Sequence, residues 1–171
     1  MGAEDGLEIE RAKAAVRALE DACLEAPGGL LASFRLWHYP REGPWITWVV
    51  FVPSGGPPYE SDGAVRERGW TRQGTPAGPD LWSREASLPP ATLRRALSRA
   101  SHTALVEDHR TSSHAFPDWT EFGIEGFGRT TTPQRIQWEA PAPYPFRTLA
   151  VWHSRTRGLL QDCLDRENHS S

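Results

Sequence analysis

The residues best suited to chemistry gather in one stretch: His102, Glu107, Asp108, His109, His114 and Asp118. Imidazole nitrogens and carboxylate oxygens are common ligands of divalent metals, and the same groups move protons near neutral pH. Within the stretch, His109, His114 and Asp118 form the set that a small metal-dependent hydrolase would use. The spacing from His102 to His109 to His114 places no two histidines four apart, so it is not a helical metal motif. Residues 107–118 (EDHRTSSHAFPD) read as a polar connection, where solvated His, Asp and Ser are ordinary.

The other reactive side chains point inward. His153 falls on the apolar stripe of a C-terminal helix near Leu149 and Leu160, which predicts a hydrogen-bonded core histidine. Cys23 and Cys163 also sit on apolar helix faces, whereas a nucleophilic thiolate needs a partly exposed, electropositive site. No serine lies in a G-x-S-x-G turn. The run Gly123-Ile124-Glu125-Gly126-Phe127-Gly128 has the glycine order of the dinucleotide fingerprint reversed, and it ends a strand instead of opening a helix. Lys13 is the only lysine. It is thus the single candidate for phosphate-binding or Schiff-base lysine chemistry, and its place on an ordinary surface helix speaks against both. No cofactor is expected.

What remains is an excess of aromatic and guanidinium side chains. Of eight tryptophans, Trp45, Trp48, Trp138 and Trp152 read as core. Trp70, Trp82 and Trp119 stand among charged positions. Trp and Arg dominate interface hot spots, so Trp70, Trp82, Arg84 and Trp119 are the candidate partner-binding residues.

The elements that must position these groups are legible from periodicity. Residues 7–25 carry Ile9, Ala12, Val16, Leu19 and Cys23 at three- and four-residue steps, which predicts an amphipathic helix stopped at Pro27-Gly28-Gly29. Leu30 to His38 alternates, with Ala32, Phe34 and Leu36 opposed to Ser33 and Arg35, as a half-buried strand does. Trp45 to Val52 is almost wholly apolar and reads as a central strand covered on both faces, paired with the first as a hairpin. Val65 to Arg72 and Leu81 to Ser87 read as two further strands. Their polar positions, Arg66, Glu67, Arg68, Arg72, Arg84 and Glu85, predict one wet face.

Pro89-Pro90 introduces a helix over about 91–105, since proline is tolerated in a first turn. Trp119 to Phe127 and Arg135 to Glu139 supply two more strands. Pro141 to Pro145 leads into a final helix from Phe146 to about Arg166, with Phe146, Leu149, Trp152, Leu160, Cys163 and Leu164 on one side. The order is α-β-β-β-β-α-β-β-α. Strands that arrive in hairpins predict an α+β fold with an antiparallel sheet of about six strands and N-terminal, internal and C-terminal helices.

Bulk properties agree. A chain of 171 residues fits a single α+β domain spanning 1–171 that buries a core without disulfide staples. Two cysteines outside any paired motif suit a reducing, cytoplasmic setting. The net charge of −3 argues against a nucleic-acid partner. The longest apolar run, Trp48 to Val52, is too short for a membrane span, which needs about 20 residues.

The segments Trp82-Ser83-Arg84, Asp118-Trp119-Thr120-Glu121-Phe122, Trp138 and Pro141 to Leu149 follow one another in a recurring order. A Trp/Arg strand, a short helix, an Asp-led strand, a Trp strand and a Pro-rich entry to a terminal helix succeed one another. Over about 81–171 this resembles small uncharacterised bacterial α+β proteins. The resemblance implies a structural unit around the Asp118 turn and no activity. Two functions are expected from these readings. The first is a non-catalytic protein-binding module, an immunity-type or accessory protein of a bacterial cytoplasm. The alternative is the small metal-dependent hydrolase using His109, His114 and Asp118.

Overall fold

Four strands separated by turn-forming residues must fold on their neighbours, and they do. In the computed structural model the described residues are 11–12, 14–20, 25–40, 42–55, 60–71, 80–103, 120–127, 134–142 and 144–169. The strands are β1 (Leu30–Tyr39), β2 (Trp45–Pro53), β3 (Gly63–Thr71), β4 (Asp80–Leu88), β5 (Glu121–Gly126) and β6 (Gln134–Glu139). They form one antiparallel sheet in the order β4-β3-β2-β1-β5-β6. Helix α1, described over 11–12 and 14–20, lies on one face. Helices α2 (Pro90–Thr103) and α3 (Arg147–Asn168) cover the other, and a short 3-10 turn, Tyr144–Phe146, precedes α3. The α+β class and the element order read from the sequence are those observed.

The helix-side core joins Phe34, Leu36, Trp48, Val50, Val65, Leu88, Ile124, Ile136 and Trp138 of the sheet to Leu93 and Ala96 of α2. From α3 it takes Leu149, Trp152, Leu160, Cys163 and Leu164. Full burial of each large apolar chain contributes about 1.5–3 kcal/mol relative to leaving it exposed. The stripe at 149, 152, 160, 163 and 164 therefore fixes which side of α3 faces inward. Helix α3 crosses the whole sheet. Its start packs Phe146 on Trp138 of β6, its middle sets Trp152 against Phe34 of β1, and its end meets β4 through Asp165. Twenty-two residues reach about 33 Å, more than the roughly 24 Å across six strands.

On the other face, Ala12, Ala15 and Leu19 of α1 lie over Trp37, Tyr39, Trp45 and Trp70. Small side chains on α1 let its backbone sit close to a layer of rings. Tyr39 stacks on Trp45 at 5.1 Å, and Trp70 meets Trp45 edge-on at 4.9 Å.

Three local readings of the sequence change. Strand β1 is not half-buried: α1 closes its second face, and Arg35, Trp37 and Tyr39 are as buried as Phe34 and Leu36. Its alternation is also broken. The register slips between Ala32 and Phe34, so Ser33 bulges and Ala32 joins Leu30 and Phe51 on the α1 side. Finally, the wet face expected of β3 and β4 is interrupted, because Glu67 points to the helix side and is 0% exposed.

Two glycines owe their place to neighbouring indoles. Trp37 is paired with Gly123, and Trp82 with Gly69. A Cβ on Gly123 would lie 1.8 Å from the Trp37 ring, and one on Gly69 would lie 2.0 Å from that of Trp82. Each indole thus lies flat on bare backbone and replaces the packing the glycine lacks.

Candidate functional site

Two partly buried networks, one on each face, organise much of the sheet's ionisable chemistry. On the helix side, Glu67 of β3 is flanked by its cross-strand partners Trp48 and Arg84. Trp48 Nε1 donates to Glu67 Oε2 at 2.6 Å, and Arg84 Nε donates to Glu67 Oε1 at 2.5 Å. Arg84 Nη1 then reaches Asp165 of α3 at 2.7 Å. The hydrogen bond to Glu67 raises the guanidinium's affinity for its proton, and Arg84 in turn holds the Asp165 carboxyl below its usual range. A buried carboxylate needs this degree of pairing, since an unpaired one is expensive to desolvate.

On the α1 side, Glu20 bridges two strands. Its carboxylate accepts from Arg135 Nη1 at 2.8 Å and lies 3.5 Å from Arg35 Nη2, which also pairs with Glu125. Both guanidinium groups lie over the Trp37 ring, at 5.5 Å for Arg35 and 4.7 Å for Arg135. Trp37 Nε1 donates to Glu121 at 2.9 Å. Burial, partly offset by that bond, pushes the Glu121 carboxyl up. Close by on the same face, the Tyr39 and Thr47 hydroxyls share a hydrogen bond, and burial raises the Tyr39 phenol.

Two histidines complete the helix-side chemistry. His153 Nε2 donates to the Trp37 carbonyl at 3.0 Å, and its ring meets Phe122 and Trp138 edge-on. A carbonyl can only accept, so the bond fixes the Nε2–H form. His38 Nδ1 accepts from Arg157 Nη1 at 2.9 Å while its ring stacks on Phe122 at 4.7 Å. Burial, reinforced by the Arg157 charge, lowers His38 to about 4. Burial also lowers His153 to about 4, against the pull of its bond to Trp37. Both rings are neutral and committed to structural bonds at neutral pH.

Burial likewise pushes the Cys163 thiol up, so this side chain is a core element. In native protein, Cys163 should resist alkylation by iodoacetamide at pH 8 and become labelled once urea unfolds the chain. Mass spectrometry of the Cys163 peptide reads this directly. Rapid native labelling would refute its place in the core.

No family model, curated protein or solved structure matches the chain. Among the described residues, no three His, Cys, Asp or Glu side chains are grouped to hold a metal ion, and no helix is long and apolar enough to cross a membrane. His102 falls in α2, whereas Glu107, Asp108, His109, His114, Asp118, Trp119 and Cys23 lie outside the described residues.

The sequence-derived aromatic set divides. Trp70 is 4% exposed in the α1-side cluster. Trp82 is half-buried with Arg84 beneath α3, where the guanidinium carbon lies 6.0 Å from the indole centroid. Trp70 pairs with Leu81, not with Trp82, so the two indoles lie on opposite faces and share no surface.

One exposed group escaped the sequence reading. Tyr144 is 83% exposed and Val151 is 51% exposed. Arg147 lies between them with its guanidinium carbon 5.7 Å from the Tyr144 ring centroid. Arg147 and Val151 lie four residues apart on the outer side of α3, Arg155 continues the line one turn further, and Tyr144 adjoins it from the 3-10 turn before the helix. The same spacing that identified the inner stripe could have identified this outer one.

Proposed function

We propose that the chain is a non-catalytic protein-binding module, an accessory or immunity-type protein of a bacterial cytoplasm, and that α3 carries its contact surface. The observation behind this reading is the exposed set of Tyr144, in the turn before α3, with Arg147 and Val151 on a helix whose other side is locked into the core. A tyrosine and an arginine presented on a rigid element cost little entropy to dock, and both are prominent among interface hot spots. Trp82 and Arg84 lie on the same side of the sheet at the far end of α3, where Arg84 is bonded to Asp165.

The test is affinity capture from native lysate with the wild-type chain and with a Tyr144→Ala/Val151→Asp variant. Leu81→Ser, at an exposed position on the α1-side face, serves as control. A partner held by wild type and by Leu81→Ser should bind the double variant at least roughly 30-fold more weakly, the effect of losing about 2 kcal/mol at a hot spot. Equal retention by all three proteins would refute the proposed surface, and no specific partner across several conditions would refute the binding role.

A further inference from the structure

The charges of the helix layer are one-sided. Helix α2 (PATLRRALSRASHT) contains Arg94, Arg95 and Arg99 and no carboxylate. The first fifteen residues of α3, through Gln161, contain Arg147, Arg155 and Arg157, again with no carboxylate. Six arginines thus sit on two helices that pack side by side. The other 13 basic residues of the chain stand against 22 acidic ones.

This segregation works against the helices themselves. A helix N-terminus carries partial positive charge and favours acidic side chains, yet neither α2 nor α3 has one in its first turn. Helix α3 instead opens on Arg147 behind an N-cap, Phe146, that makes no side-chain capping bond. The sheet treats its arginines differently. Arg35, Arg66, Arg84 and Arg135 are ion-paired, and Arg68 is the sheet arginine without an ion pair among the described residues. Arg95, Arg147 and Arg155 are exposed and form no ion pair among the described residues.

Resting on the protein-binding role proposed above, we infer that the partner presents an acidic protein surface to the α2/α3 layer, with Tyr144 and Val151 at the apolar centre of the contact and Arg95, Arg147 and Arg155 around it. Guanidinium forks match carboxylates two bonds at a time, and an uncompensated patch of one sign accelerates encounter with the opposite sign. A protein is favoured over a nucleic acid because the chain as a whole is negative, with 22 acidic residues to repel a phosphate backbone. It is favoured over a membrane because the apolar side of α3 is already committed to the core.

The experiment is an NMR titration of the isotope-labelled full chain at low and at near-physiological salt. The probes are a glutamate- and leucine-containing peptide of about two dozen residues, a single-stranded DNA of similar length, and vesicles containing phosphatidylserine. Wild type is compared with Arg95→Glu/Arg155→Glu, two exposed positions whose reversal leaves the core untouched. The acidic peptide should shift resonances on α2 and the first half of α3. It should lose at least tenfold in affinity on raising the salt, and at least tenfold again in the charge-reversed variant.

Peptide binding elsewhere, or binding indifferent to the reversal, would overturn the inference. So would tighter binding of the DNA or the vesicles to this face. The capture experiment separates the two levels. A partner lost with Tyr144→Ala/Val151→Asp but retained by Arg95→Glu/Arg155→Glu would keep the protein-binding role and remove the acidic partner.

Discussion

Gly123→Ala should destabilise the protein by about 3 kcal/mol, and the same substitution should be nearly free once Trp37 has been cut back. The added Cβ falls 1.8 Å from the Trp37 ring. That ring is held in place, because its Nε1 is bonded to Glu121 and two guanidinium groups lie over it. Overpacking of this kind usually costs about 1–3 kcal/mol, and a clash with a fixed ring belongs at the upper end.

Trp37→Ala alone should cost about 3–5 kcal/mol, since the indole is almost wholly buried and its removal opens a cavity. In that background the methyl added at position 123 meets empty space, so Gly123→Ala should cost less than about 0.5 kcal/mol there. Urea midpoints of the four proteins complete the cycle. Additive costs would mean that the indole does not rest on Gly123. Against a total stability of about 5–15 kcal/mol for a domain of this kind, either single variant removes a substantial fraction of the total.

The second large effect is acid sensitivity. His153 titrates at about 4 in the folded chain because burial disfavours its charged form, and at about 6.5 when unfolded. Between those values the unfolded chain binds a proton that the folded chain does not. His153 therefore contributes its full stability above pH 6.5 and loses it as pH falls toward 4, in total about 3 kcal/mol. His38 shifts in the same direction, with a smaller contribution because its ring is partly open to water. Urea midpoints should fall steeply from about pH 6.5 to about pH 4.5. In His153→Gln, which keeps a donor for the Trp37 carbonyl but cannot titrate, the slope should flatten by about half or more. An unchanged slope would place the acid sensitivity elsewhere.

The elements of this fold could be read because their boundaries depend on local chemistry. Proline and glycine pairs end them, and periods of two or 3.6 identify them, so the order of strands and helices follows from the chain directly. What could not be read depends on contacts far apart in sequence. Nothing near Arg35 announces that α1 will cover it, so β1 looked half-exposed. Glu67 looked solvated because its partners, Trp48 and Arg84, are separated from it by 19 and 17 residues.

The relation of Trp70 to Trp82 turned on register. Alternation shows that Trp82 and Arg84 share a face of β4, but residues 72–79 are too long a connection to say whether Trp70 opposes residue 81 or 82. The bulge at Ser33 has the same character, since one unpaired residue moves Ala32 to the other side. The outer stripe of α3 was legible in principle. Tyr144, Arg147, Val151 and Arg155 repeat at helical spacing, but an exposed stripe acquires meaning only when the opposite side is known to be buried.

Helix α3 touches both edge regions of the sheet and is the last of the described elements. That arrangement sets an order of events during synthesis. Until residues 147–168 emerge, Phe34, Trp48, Val65 and Ile124 have no terminal helix above them, and Glu67 has only Trp48 and an Arg84 not yet anchored to Asp165 as partners. At about 5–20 residues per second, the interval between finishing β6 and finishing α3 lasts roughly 1.5–6 s. Throughout it a nascent chain presents a half-covered aromatic face to its surroundings. A stop codon or ribosomal pause within α3 would leave a product whose sheet is complete and whose core is open, a natural client for chaperones and proteases.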